Sequence, residues 1–240
     1  MIVADVRHRL TRNDAQLAMR LIARGDDREL EQCEAALRDR GVDALLDDPR
    51  LIAALMHAPQ GAHSSFPLFA YVAVRHALHE AGEDNRALAD YMAAVLIAFA
   101  TKGRAERVAD SDDERYDTLA ALVSDANDPD AKRSFLVRAH LGNYALWLAG
   151  LFPDFIVQRR WRKGGPDLDY YDEMGKRGFQ LAADHRLAEQ HGLRALYAMA
   201  ALRFETMRCA LNTVSDRMLF PNIHTPERLM RQVATGFKLH

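Results

Sequence analysis

The sequence predicts an all-α fold, an irregular multi-helix bundle with two long antiparallel C-terminal helices. Apolar residues recur at intervals of three and four along most of the chain, the spacing of a single helix face. Alternating β-branched and polar runs, the mark of a half-buried strand, are absent. Helix punctuation is dense, with Asp, Asn, Ser or Pro ahead of most apolar stretches and Gly behind several of them. The chain has 240 residues, 49% apolar and 28% charged. A chain of that size buries about 70% of its unfolded surface, enough for a core without disulfides or metals.

The first helix is expected from Asn13, an N-cap residue type, to the stop at Gly25. Asp26 and Asp27 open a second, which ends at Arg40 before Gly41. Short pieces follow at 42–46 and 49–57, the latter with Pro49 in the first turn, where a missing amide hydrogen costs nothing. After a loop at 58–66, Pro67 opens a helix to Ala81. Asp84 or Asn85 caps the next, whose stripe of Leu88, Tyr91, Val95 and Phe99 ends at Gly103. The charged stretch 104–114 reads as a surface connection. Further helices cover 115–126 and, from Asp128-Pro129, the segment to Phe152.

Two C-terminal helices carry the longest patterns. From Pro166 to Gln190, Leu168, Tyr171, Gly175, Gly178, Ala182 and His185 share one face, and its small middle requires a neighbouring backbone close by. Beyond it, Leu193, Tyr197, Ala200, Phe204, Met207, Leu211, Val214 and Met218 alternate spacings of four and three. That predicts one coiled-coil-like seam about 40 Å long, stopped at Pro221. A seam of this length also suits a homodimer. The whole chain reads as a single helical domain, 1–240, within which 58–66 divides an N-terminal helical subdomain (1–57) from a main bundle (67–240).

Charge and composition narrow the function classes. Thirty-two basic residues face 34 acidic ones, a formal net charge of −2, unlike the basic balance of a general nucleic-acid binder. Arg greatly outnumbers Lys, as in proteins from GC-rich bacterial genomes. Two distant cysteines, Cys33 and Cys209, form neither a disulfide framework nor a zinc motif and suit a reducing cytoplasm. The N-terminal residues lack an apolar core of signal-peptide length. The longest uncharged run, 51–74, is broken by Pro59, Gly61 and Pro67 and cannot be one membrane span. A soluble, cytoplasmic protein without cofactor is expected.

Candidate sites are few. The loop around His57, His63, Ser64 and Ser65 is polar yet uncharged, which suggests a buried or pocket-lining segment. Its serines and the amides opening the next helix suit a carboxylate or phosphate, and its histidines suit proton transfer. The plainer reading makes Ser65 an N-cap. His76, His79 and Glu80 share a helix and form an alternative metal site, although the Glu-x-x-His signature of helical di-metal proteins is missing. Arg159, Arg160, Arg162 and Lys163 surround Trp161 ahead of two glycines, a pattern for phosphate or nucleic acid; the plainer reading is a solvated basic turn with Trp161 anchored in the core. His140 sits among aromatics, as a core histidine with one hydrogen bond would. Glu205 and Asn212 lie one step off the C-terminal seam. The Arg-to-His spacing of some helical ribonucleases recurs (Arg50/His57, Arg133/His140, Arg186/His191, Arg217/His224) at the frequency chance gives in a chain this rich in both.

With no nucleotide loop, nucleophile elbow or metal signature, the expected function is a non-catalytic interaction or regulatory module, binding a protein partner or itself. The alternative is a helical-bundle enzyme or small-molecule-binding protein with a His/Ser-lined pocket. Nucleic-acid binding through the small basic patch comes third, and membrane association is not expected.

Overall fold

The computed structural model describes residues 1–109, 112–226 and 228–231, and all regular structure among them is helical. Contacts gather the chain into two compact units, residues 3–97, and residues 1–2 with 98–240. The 58–66 loop lies inside the first unit.

The first unit contains α1 (Val6–Arg9), α2 (Arg12–Ala23), α3 (Asp27–Arg40), α4 (Asp43–Leu46), α5 (Pro49–His57), α6 (Phe66–Glu80) and most of α7 (Arg86–Ala100). Local chemistry sets the helix ends. Thr11, not Asn13, caps α2: its hydroxyl accepts from the Asp14 amide while the Asp14 carboxylate accepts from the Thr11 amide at 2.8 Å. Asp26 caps α3, Asp48 caps α5 and Ser65 caps α6, each accepting from amides in the following turn. Asn85 does the same for α7, accepting from Ala87 at 2.9 Å. Leu45, Leu46, Leu51, Leu68, Tyr71 and Leu78 are almost fully buried.

The second unit contains α8 (Leu119–Asp125), α9 (Ala131–Leu151), α10 (Pro153–Lys163), α11 (Leu168–Ala183), α12 (Arg186–Gln190), α13 (Arg194–Leu202) and α14 (Phe204–Val214). A π-helical turn follows at Ser215–Leu219. The close approach expected at the small stripe is present: a Cβ on Gly178 of α11 would lie 2.6 Å from the Gly142 amide nitrogen of α9. The two backbones touch there, which no side chain larger than hydrogen permits.

Four expectations change. The helix from Pro166 stops at Ala183, and His185 caps α12 by accepting from the Leu187 amide at 3.2 Å. The last seam is not one helix: Arg203 (φ −101°, ψ 15°) divides it into α13 and α14. The seam residues from Leu193 to Val214 remain buried, but their partners change, α13 packing on α11 and α14 mainly on α9. Pairs between the C-terminal segments step in opposite directions, Asp172 to Arg208 and Phe179 to Tyr197. Third, the basic stretch 158–163 is the end of a helix, α10, and not a turn. Finally, the 104–114 connection is partly interior. Arg104, Ala105 and Val108 are buried, and the Ala105 carbonyl accepts from His140; residues 110 and 111 lie outside the described residues.

Candidate functional site

Close packing suits an uncharged 57–66 loop, part of which also walls a cleft. Residues Pro59–His63 form a 3-10 turn lying directly on α5, where a Cβ on Gly61 would fall 2.3 Å from the Leu55 carbonyl oxygen. Ser65 is spent as the α6 cap. Burial pushes the neighbouring Asp14 carboxyl up, but hydrogen bonds with Ser65 and Thr11 outweigh it and hold the group below its usual range. His57 and His63 are exposed, not interior. The structure therefore does not bring His57, His63, Ser64 and Ser65 to one pocket. His57 alone reaches a cleft, of about 820 Å³, with Leu17, Leu21, Arg20, Arg24 and Gln60 among its walls.

His76 and His79 point to different partners. His76 Nε2 donates to the Leu46 carbonyl at 3.2 Å, and burial lowers its pKa. His79, exposed, has Nδ1 3.3 Å from Asp84; Glu80 is also exposed. Among the described residues no three His, Cys, Asp or Glu side chains are grouped to hold a metal ion.

Beside these histidines lies a cavity of about 210 Å³ walled by Asp47, Arg75, Asp84 and Arg86. Arg75 is 4% exposed; its Nε lies 2.8 Å from Asp47 and its Nη2 2.5 Å from Asp84. Arg86 also bonds Asp47, and Arg7 bonds Asp43 at 3.0 Å. Burial pushes the Asp47 carboxyl up, yet Arg75 and Arg86 together hold it below its ordinary value. The Arg75 hydrogen bond does the same for Asp84. Charge is matched here group by group, as in a structural clamp.

The basic stretch has a different environment. Pro153 is the first residue of α10, and Pro153 and Ile156 are its buried residues. Trp161 is 84% exposed, so the expected core anchor is overturned, and Phe155 is 50% exposed. Only part of α10 faces the core: Val157 is half-buried, and Phe155 and Trp161 are left outside. Ile156, Val157, Trp161 and Leu168 wall a groove of about 660 Å³ that also meets Gly164, Gly165, Arg160 and Asp167. Arg160 lies 3.3 Å from Asp167, which simultaneously caps α11. Arg159 is half-buried; Arg162 and Lys163 are exposed and make no ion pair among the described residues.

Sequence reasoning missed two buried polar assemblies. Arg228, 3% exposed, lies 3.2 Å from Asp154 and 3.1 Å from Asp216, and Arg231 bonds the same two carboxylates. No local pattern announces partners more than seventy positions apart along the chain. Arg208 bonds Asp172 at 2.8 Å and Asn212 at 3.2 Å, while the Asn212 amide donates to the Ala149 and Gly150 carbonyls at 2.9 and 2.7 Å. Asn212 is thus a buried clamp between α14 and α9, and Glu205 is exposed. His140 is the core histidine its neighbours implied. Its Nε2 donates to Ala105 at 3.0 Å, its ring stacks with Tyr144, and burial pushes its pKa down to about 3.

Among the described residues no helix is long and apolar enough to cross a membrane. Compared with family models, curated proteins and solved structures, the chain and its fold match none.

Proposed function

We propose that the protein is a non-catalytic interaction or regulatory module of the cytoplasm that engages another protein through the outer face of α10. The observation that carries this reading is Trp161. An indole with 84% of its surface in water forgoes about 2 kcal/mol of burial that a core position would have given it. Nothing in the packing of α10 requires a tryptophan there. Aromatic residues with neighbouring Arg are what protein interfaces concentrate at their energetic centres, and the adjacent groove of about 660 Å³ offers the concave half of such a contact.

A photo-cross-linking amino acid placed at Trp161 in living cells tests it, with exposed Gln32 as the control position. The reading expects a discrete protein adduct at position 161 that position 32 does not give. An adduct with a second copy of the chain would identify the partner as self, in a homodimer. Adducts of equal yield at both positions, or none at 161, would refute the assignment.

A second reading has the cleft at His57 in its favour, since about 820 Å³ lies within the usual range for small-molecule sites. Filling it with Ala53→Trp would abolish the binding of any ligand it holds while leaving α10 cross-links intact. Ala53 lines the cleft, and its exposure lets the fold tolerate the change.

A further inference from the structure

We infer that the partner segment received by α10 is acidic and carries an aliphatic side chain; this rests on the reading of α10 as the binding face. The groove walls supply the apolar half of the argument. Ile156, Val157 and Leu168 are aliphatic, and Trp161 lines the groove beside them. Such a slot suits a Leu or Ile side chain inserted edge-on. At its glycine end, Gly164 adopts φ 65° and Gly165 follows it. Without side chains there, a partner backbone can come close.

Charge supplies the other half. Arg160 lines the groove, and Arg162 and Lys163 share the last turn of α10 with it. The α10 C-terminus favours cations through its dipole, which accounts for their sign but not for the exposed indole among them. Arg162 and Lys163 have no ion pair among the described residues. Arg160 already pairs with a carboxylate, that of Asp167, within the same groove, so the chain itself displays the contact a partner Asp or Glu would make. A single-stranded nucleic acid is the competing occupant. It would need a continuous basic track along several phosphates, whereas these cations stop at Gly164 and acidic residues Asp167 and Asp169 follow.

The test pans a phage-displayed library of random peptides on the full-length protein, with the Trp161→Ala variant in parallel. Trp161 is so exposed that its loss leaves the fold intact, which circular dichroism verifies. Enriched sequences should be rich in Asp and Glu around a Leu, Ile or Val. Their affinity should fall about tenfold with Trp161→Ala, the size of an aromatic hot spot, and several-fold with Arg162→Glu or Lys163→Glu. In a Trp147→Phe background Trp161 becomes the sole tryptophan, and its emission should shift to the blue as the peptide covers it. Enrichment without an acidic bias, or affinity unchanged by Trp161→Ala, overturns the inference. So does a shift produced by an oligouridylate or by anionic vesicles when no peptide is enriched. If cross-links at position 161 persist while the acidic bias fails, the interaction module stands and only the partner chemistry falls.

Discussion

Gly178→Ala is the sharpest test of the packing that builds the second unit. The new methyl carbon would sit 2.6 Å from the Gly142 nitrogen, 3.0 Å from the Arg138 carbonyl oxygen and 3.1 Å from Leu141 Cβ. Ordinary contact begins near 3.4 Å, so α11 must retreat from α9 by 3.4 − 2.6 = 0.8 Å at this point. Two of the three obstacles are backbone atoms, which cannot swing aside as a side-chain tip would. Overpacking of this kind costs about 1–3 kcal/mol, with the upper end appropriate where backbone resists. Against it stands the helix propensity gained by replacing Gly with Ala, about 1 kcal/mol. The net expectation is a loss of about 2 kcal/mol, or about 4–8 °C in Tm for a chain of this length. Tryptophan fluorescence during thermal unfolding is the suitable assay, because Trp147 and Trp161 both belong to the unit under test. A variant equal to or more stable than the parent would show propensity winning, and would refute the close crossing of α9 and α11.

Three further outcomes can be measured. Asn212→Ala should cost about 1–3 kcal/mol in urea unfolding, because the Ala149 and Gly150 carbonyls lose their buried donor. His140 should stay neutral throughout the physiological range when its ring protons are followed by NMR. Its folded pKa of about 3 lies below the ordinary value of 6.5, so its contribution to stability is complete above pH 6.5 and lost as pH falls toward 3. Asp47→Asn should cost about 1–3 kcal/mol at pH 7, because the buried Arg75 guanidinium loses one of its two carboxylate partners and keeps only Asp84. Since the folded Asp47 carboxyl lies below its ordinary value of 3.8, the difference from the parent should hold above that pH and shrink as acid protonates Asp47 in the folded state.

Helix ends were legible because their chemistry is local. Asp26 with Gly41, Pro49 and Ser65 each mark a boundary within a turn of where it falls. The Gly175–Gly178 stripe was legible for a similar reason, since small residues on a seam have one common use. What escaped depends on distant residues. Helix α10 has few buried residues, so no apolar period announces it; it is fastened through Asp154 to Arg228 and Arg231 instead. The break at Arg203 arises because the two halves of one apolar seam answer to different neighbours, α11 and α9. The cluster 159–163 stands out by composition, whereas the rule that a tryptophan belongs in the core gives no sign of the exposure of Trp161.

The distribution of perturbed groups bears on the choice between interaction and catalysis. Catalytic sites bring a group of shifted pKa together with space for a substrate. His140 and Tyr71 are pushed far from their ordinary values by burial, and each sits in the core, at 3% and 0% exposure. Asp47, Arg75 and His76 do line a cavity, but its roughly 210 Å³ falls below the ~300 Å³ at which small-molecule sites begin. Their shifts also come from burial and from one another, as in a clamp. The His57 cleft and the α10 groove are larger, and aliphatic side chains beside charged groups wall both. Of the two, only the groove at α10 presents a large aromatic surface to water, and that asymmetry favours a protein partner at Trp161 over chemistry at His57.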